Sequence, residues 1–166
     1  MERNRDEWLE TAMLQWEVPL LRTCFLLLRD RLLAEDAVQQ TFLKAWRGYD
    51  SFRGECSEKT WLMRIAVHTC RDLQRGKWFR HIDPSVSLDD LPPPVQPFEE
   101  RDDTVARAVL ALPEKLRQVV VLHHYQGLTV QETAQVMEIS RRTAYDRLAR
   151  AQKLLKKELE GWYRDE

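Results

Sequence analysis

The segment Leu128-Thr-Val-Gln-Glu-Thr-Ala-Gln-Val-Met-Glu-Ile-Ser-Arg-Arg-Thr-Ala-Tyr-Asp-Arg-Leu-Ala-Arg150 holds two short helical patterns with a tight break between them. Thr129-Val-Gln-Glu132 has the form of a capping box, threonine at the N-cap and glutamate three residues on, so a helix starts there. Val130, Ala134 and Met137 share one face, and Ala134 is small where a second helix must cross closely. A break at Glu138-Ile139 leads to Ser140, the next N-cap. In the helix that follows, Ala144, Leu148, Ala151 and Leu155 fall within about 60° of one another. The opposite side holds Arg142, Tyr145, Asp146, Ala149, Arg150, Lys153 and Lys156. Residues 137–160 carry seven basic and four acidic side chains. Two tightly joined helices, the second apolar inside and basic outside, fit a DNA-reading helix-turn-helix. A helical hairpin with a merely solvated charged face is the competing reading. Glu138 stands where many such turns use glycine to accept a left-handed backbone.

Upstream of this unit, Val105, Val109 and Leu112 repeat at helical spacing. Pro113 then sits where a new helix can start, running from Glu114 to Tyr125 with Leu116, Val119, Val120 and Leu122 inside. Between His81 and Asp103 the composition changes. Five prolines and a run of acids forbid a helix and cannot build a core, so this stretch is a linker. Three helices precede it. One runs from Arg5 to Leu28 (Trp8, Met13, Trp16, Leu20, Leu21 and Leu27), with Pro19 able to kink or restart it. The second runs from Arg31 to Arg47 and stops at Gly48, and the third is capped by Ser57 and ends near Gly76. No alternating strand pattern persists. The expected fold is all-α: two small helical domains, a three-helix bundle over residues 1–80 and a helix-turn-helix bundle over 104–166, joined by an acidic, Pro-rich linker over 81–103.

On the third helix, Leu62, Ile65, Ala66, Thr69, Cys70 and Leu73 gather on one side. Arg64, His68, Arg71 and Arg75 line up on the other as a single row. Phe52, Trp61, Trp78 and Phe79 lie around this row, and cations beside aromatic rings suit single-stranded nucleic acid. Core packing is the other reading of Trp61. On the second helix Val38, Phe42 and Ala45 make the apolar face. A separate strip of Asp36, Gln39, Gln40, Leu43, Trp46 and Arg47 has the character of a protein interface.

Several function classes are disfavoured. The 166 residues leave room for one domain or two small ones. The longest apolar run, Cys24 to Leu28, is far short of the roughly 18 residues of a membrane span, and the polar start of the chain gives no expectation of a secretory leader. Cys24, Cys56 and Cys70 are odd in number and not closely paired, which fits a reduced, cytoplasmic chain. Zinc spacing is absent, and adjacent His123 and His124 point apart on a helix, so no metal or other cofactor is expected. With no phosphate loop or nucleophile elbow, no catalytic residue is nominated and an enzyme is not the favoured class.

Taken together, the segments resemble the extracytoplasmic-function (ECF) sigma factors of the bacterial sigma-70 family. The resemblance rests on Ala34-Glu-Asp-Ala-Val-Gln-Gln-Thr-Phe-Leu-Lys-Ala-Trp46, Phe52-Arg-Gly, Thr60-Trp-Leu-Met-Arg-Ile-Ala66, Leu112-Pro, and Leu128-Thr to Arg150, in order across nearly the whole chain. It implies a promoter-specificity subunit that binds core RNA polymerase, through the β′ clamp helices and the β flap, and promoter DNA. Asp36, Gln39, Gln40, Leu43 and Trp46 would then face polymerase. Phe52, Trp61, Arg64, His68, Arg71 and Arg75 would melt and hold the −10 element. Tyr145, Asp146, Ala149 and Arg150 would read the −35 element, while Arg142, Thr143 and Arg147 fix register on phosphates. It also implies an anti-sigma partner, often membrane-anchored, on a chain that does not itself enter the membrane. Three departures stand out: His68 where asparagine is frequent, Glu138 where glycine is usual, and Asp146 as an acid on the reading face. A free-standing, dimeric helix-turn-helix regulator and a helical adaptor are the alternatives.

The formal charge of −1 hides opposed segments. Residues 53–81 net +4 and 137–160 net +3, whereas 82–104 net −6. The acidic linker is thus expected to offset the two basic faces, and to stay flexible enough for the modules to close on a partner.

Overall fold

The computed structural model describes residues 4–76 and 103–164, and all regular structure among them is helical. The linker, with Trp78 and Phe79, lies outside the described residues. Helix α1 spans Arg5–Leu28, α2 Arg31–Arg47 and α3 Glu58–Arg75, with a 3₁₀ turn at Tyr49–Ser51. The second unit comprises α4 (Asp103–Leu110), α5 (Glu114–Val120) continued as a π-helical turn (Val121–Tyr125), α6 (Val130–Met137) and α7 (Arg141–Arg164).

Caps set most boundaries. The side chains of Asn4, Asp30 and Ser57 accept the backbone N–H of Glu7, Leu33 and Thr60, opening α1, α2 and α3. The two-residue joint between α1 and α2 needs Arg29 in left-handed backbone, φ 59°. Gly48 ends α2 without a left-handed turn (φ −91°), so a glycine stop of the usual kind is not what operates there. A Cβ on Gly48 would instead sit 3.3 Å from the Lys44 carbonyl oxygen.

Pro19 neither breaks nor restarts α1. From Leu26 to Leu28 the helix is buried all round, as are Leu20, Cys24 and Phe25. A helix apolar on every side must be covered on every side. Here α2 and α3 cover one flank, and α5 with its π-helical turn covers the other. The two bundles therefore share one apolar cluster, running from Trp8 and Leu20 through Val119 and Leu122 to Leu148 and Ala151. Met63 and Val67, omitted from the expected apolar face of α3, are buried because α6 packs on α3 as well. Met13, counted with the core of α1, is half-exposed.

Polar contacts reinforce the joint. The Gln126 amide donates to the Pro19 carbonyl at 3.2 Å, the Thr60 hydroxyl to Glu132 at 3.0 Å, and Lys59 to the Gln126 carbonyl. Arg117 donates to the carbonyls of Leu110 and Leu112 at the end of α4, and to that of Leu27 in α1.

Candidate nucleic-acid interface

The helix-turn-helix forms as its sequence prescribes. Thr129 Oγ1 accepts the Glu132 N–H at 3.0 Å, and the Glu132 carboxylate accepts the Thr129 N–H at 2.9 Å, closing the capping box. Ser140 Oγ accepts the Thr143 N–H at 3.0 Å and opens α7. Ala144, Leu148 and Ala151 are buried and Leu155 is partly so, which turns the other side of α7 to solvent. Tyr145 is 65% exposed, and Arg142, Asp146 and Arg150 are exposed beside it. Thr143, Arg147 and Ala149 flank that face, each partly covered.

Hydrogen bonds from the Thr129 backbone, and then from the Thr60 hydroxyl, hold the Glu132 carboxyl below its ordinary value of 4.5. A depressed carboxylate contributes stability that is present above the unfolded value and is lost as pH falls through the folded one. Glutamine preserves the capping hydrogen bond. The stability advantage of the wild type over Glu132→Gln should therefore be full at pH 7 and shrink below about pH 4.5, as followed by thermal unfolding.

On α3, Arg64 and Arg75 are exposed, while His68 and Arg71 are partly covered. Sequence spacing treats this row as open, yet the turn of the helix-turn-helix stands against it. Arg64 Nη2 donates to Glu138 Oε1 at 2.6 Å, and His68 Nε2 lies 3.6 Å from Glu138 Oε2. Arg71 Nη2 approaches Met137 Sδ at 3.9 Å. Phe52 stacks on Trp61 (centroids 4.5 Å apart, planes 15° apart), and Trp61 leans on Trp8 at 5.8 Å. Trp61 is thus half core and half surface. Next to it opens a cleft of about 440 Å³ lined by Gly48, Ser51, Trp61, Arg64, Ile65 and His68, with Lys44 and Asp72 at its edge.

On α2, Asp36, Gln39 and Leu43 are exposed and Gln40 and Trp46 partly so, forming one strip. The Gln40 amide donates to Asp36 at 2.9 Å. The Trp46 indole N–H donates to Asp6 at 2.8 Å, and Arg5 lies 5.0 Å from the centre of its ring, so Trp46 also ties α2 to the start of α1.

Cys24 and Cys70 meet in the core, a proximity their spacing does not reveal. The thiol contact and burial push Cys70 well above its ordinary value, so it stays a protonated, apolar-like side chain. His123 and His124 sit on the π-helical turn with rings 4.8 Å apart, edge to face, and His123 Nδ1 is 2.7 Å from the Leu128 carbonyl. Among the described residues no group of three or more His, Cys, Asp or Glu is placed to hold a metal. Nor is any helix there long and apolar enough to cross a membrane. Sequence reasoning missed Arg117 and Gln126. A charge set among Leu116, Val119 and Val120 was the available signal for the former.

A helical bundle with a polar strip on α2 and a cationic row on α3, followed by a helix-turn-helix with a basic outer face, has the charge pattern of a nucleic-acid-binding protein. Residues 14–80 match the family described as Sigma-70 region 2, and residues 102–155 match Sigma-70, region 4. The ECF RNA polymerase sigma-E factor of Escherichia coli K12 is 32% identical over 136 residues, covering 72% of this chain and 70% of that protein. The RNA polymerase sigma-H factor of Pseudomonas aeruginosa is 26% identical, covering 99% of this chain and 93% of that one. Among solved structures, the sigma factor RpoE of Bartonella quintana, in complex with the anti-sigma factor NepR, superposes with a TM-score of 0.75 at 26% identity, covering 91% of this chain and 96% of that one. CnrH, in complex with the cytosolic domain of CnrY, matches in fold with a TM-score of 0.72 at 24% identity, covering 95% of this chain and 90% of that one. The chain belongs to the extracytoplasmic-function sigma factors of the sigma-70 family and is an RNA polymerase sigma factor, a subunit that directs promoter-specific transcription initiation. The alternative of a free-standing dimeric regulator finds no support in these matches.

Proposed function

We propose that residues 1–80 bind core RNA polymerase and open the −10 element, that residues 104–166 read the −35 element, and that residues 81–103 tether the two. The strip of Asp36, Gln39, Gln40, Leu43 and Trp46 meets polymerase at the β′ clamp helices, and the second unit meets the β flap. Arg64, His68, Arg71 and Arg75 receive the phosphates of the separated strand. The cleft beside Trp61 and Phe52 takes an unstacked base, since rings of this kind favour stacking by about 1–3 kcal/mol per base. Tyr145, Asp146, Ala149 and Arg150 face base edges in the major groove, with Arg142, Thr143 and Arg147 on phosphates. The chain performs no covalent chemistry of its own and works in the cytoplasm. The acidic tether offsets the charge of the basic faces until DNA competes, so neutralising its acids should raise polymerase-free DNA binding. An anti-sigma factor covers the polymerase-facing strip; the relative RpoE of Bartonella quintana was solved with such a partner, NepR.

The observation that carries this reading is that two cationic faces, each evident from residue pattern, fall within the two matched regions in the matching order. Runoff transcription with core polymerase tests it: the chain should confer initiation at a subset of promoters. Binding to polymerase without initiation at any promoter would overturn it. Arg150→Ala should weaken binding to the −35 duplex about tenfold and relax preference at one base pair, read by fluorescence anisotropy on promoter variants.

A further inference from the structure

Glu138 occupies the turn of the helix-turn-helix in left-handed backbone (φ 57°, ψ 43°), a conformation that a residue with a Cβ adopts at a cost. Glycine would fit this turn without strain, so the side chain calls for a separate explanation. Its carboxylate reaches out of its own unit to α3, accepting from Arg64 at 2.6 Å and lying 3.6 Å from His68. The hydrogen bond from Arg64, then the charge of His68, hold the Glu138 carboxyl below its ordinary value, so it is ionised at neutral pH. One helical turn along the same row, Arg71 meets Met137, the residue before Glu138.

The surroundings explain why an acid is useful there. Contact between the units places Arg71 and Arg75 of α3 and Lys115 and Arg147 of the second unit around one cleft of about 450 Å³, where Glu114 is the only acid among the described lining residues. Closing the two units therefore crowds cations from both DNA-reading elements. Glu138 lies outside that cleft but reaches the same α3 row, where Arg64 and His68, and to a lesser extent Arg71, act on its carboxylate. The pair is half-exposed (Arg64 51%, Glu138 46%), so water and salt screen it and a competing phosphate can displace it.

We propose that Glu138 is an electrostatic latch on the α3 row: with the two units held together by their shared apolar cluster, it docks on Arg64 and His68 and masks the strand-binding cations until DNA phosphates take its place. This rests on the reading of α3 as the strand-binding element. In the free protein the row is thus occupied by a mimic of the phosphate it is to bind, which suppresses unproductive binding away from polymerase. On the promoter the carboxylate is displaced, and each basic face meets its own DNA element.

The test uses the full chain, with Glu138→Gln removing the charge and Glu138→Gly removing the side chain while relieving the backbone. Small-angle scattering reads closure, and anisotropy of a fluorescein-labelled oligodeoxythymidylate of about 12 nucleotides reads access to the row. Both variants should leave the radius of gyration unchanged, because the shared apolar cluster stays intact, and should tighten oligonucleotide binding about three- to fivefold at low salt, the ratio shrinking towards one at high salt. Arg71→Ala is measured alongside. If it weakens oligonucleotide binding while neither Glu138 variant changes affinity, the latch is overturned and the strand-binding reading of α3 stands. If Arg71→Ala has no effect, that reading falls, and the masking role falls with it. An enlarged radius of gyration also overturns the proposal.

Discussion

Arg117→Met should lower the free energy of unfolding by about 3 kcal/mol, measured by urea denaturation followed by circular dichroism. Arg117 is only 3% exposed, and its two terminal nitrogens donate to backbone carbonyls, Leu110 at 3.3 Å, Leu112 at 3.1 Å and Leu27 at 3.3 Å, while its Nε is buried without a partner. Carbonyls at helix ends lack intrahelical partners, and a cation also complements the negative ends of the helix dipoles. Burial, then the nearby Arg29, pulls Arg117 down to about 10, so it remains charged at neutral pH. Because the folded value lies below the unfolded one, the cost of burying the charge is present throughout neutral pH and is relieved only above about pH 10. The carbonyl contacts must offset that cost.

Replacing a whole buried ion pair by apolar side chains is often harmless, but that escape is closed here. The partners of Arg117 are main-chain oxygens and cannot be mutated away. Methionine matches the stem and strips the side-chain donor from the carbonyls of Leu110 and Leu112, while that of Leu27 keeps its bond from Gln74 at 3.2 Å. Arg117→Lys should recover less than half of the stability, since one ammonium cannot span the separated carbonyls that the planar fork reaches. As Leu27 belongs to the first unit, amide exchange should quicken at the end of α1 as well as in α4. A change below 1 kcal/mol would show that water replaces the guanidinium at those carbonyls.

The double substitution Arg71→Ala/Arg75→Ala should cut promoter opening about a hundredfold, at roughly tenfold for each guanidinium–phosphate hydrogen bond removed. Core polymerase binding should be untouched, because neither residue belongs to the α2 strip proposed to meet polymerase. The signature that separates this from misfolding is salt dependence. With two fewer phosphates neutralised on a single strand, the slope of log affinity against log salt should flatten by about 1.4. Permanganate footprinting of unpaired thymines and a salt titration on the same samples read both quantities. An unchanged slope would place the phosphates elsewhere.

Local chemistry made much of the fold legible. Ser57, Thr129 and Ser140 announce helix starts because a short oxygen-bearing side chain is what an exposed N–H needs. The spacing of Ala144, Leu148 and Ala151 told which side of α7 faces inward, and so which side carries Tyr145 and Arg150. Pairings between residues far apart in the chain were not legible. Nothing in the spacing of Glu138 and Arg64, separated by 74 positions, shows that they meet, and the same holds for Cys24 with Cys70. The π-helical turn at Val121–Tyr125 was hidden for another reason. It widens the hydrogen-bond ring, Gln126 N–H to the Val121 carbonyl, without changing the apolar composition that periodicity detects. The polar strip on α2 was visible as a composition, but the tie of Trp46 to Asp6 was not.

Helix α7 does not stop where its reading face ends; it continues unbroken to Arg164, 24 residues in all. At the rise of an α-helix this is a rod of roughly 36 Å. The residues proposed to read DNA sit in the first three turns, while Gln152, Lys153 and Lys156 to Glu158 stand exposed farther along. Stiffness over that length makes the helix a lever with its fulcrum at Ala144, Leu148 and Ala151. A load applied at the far end would then change the pitch of Tyr145 and Arg150. Leverage, and not hydrogen bonding alone, would then bear on how the second unit is aimed.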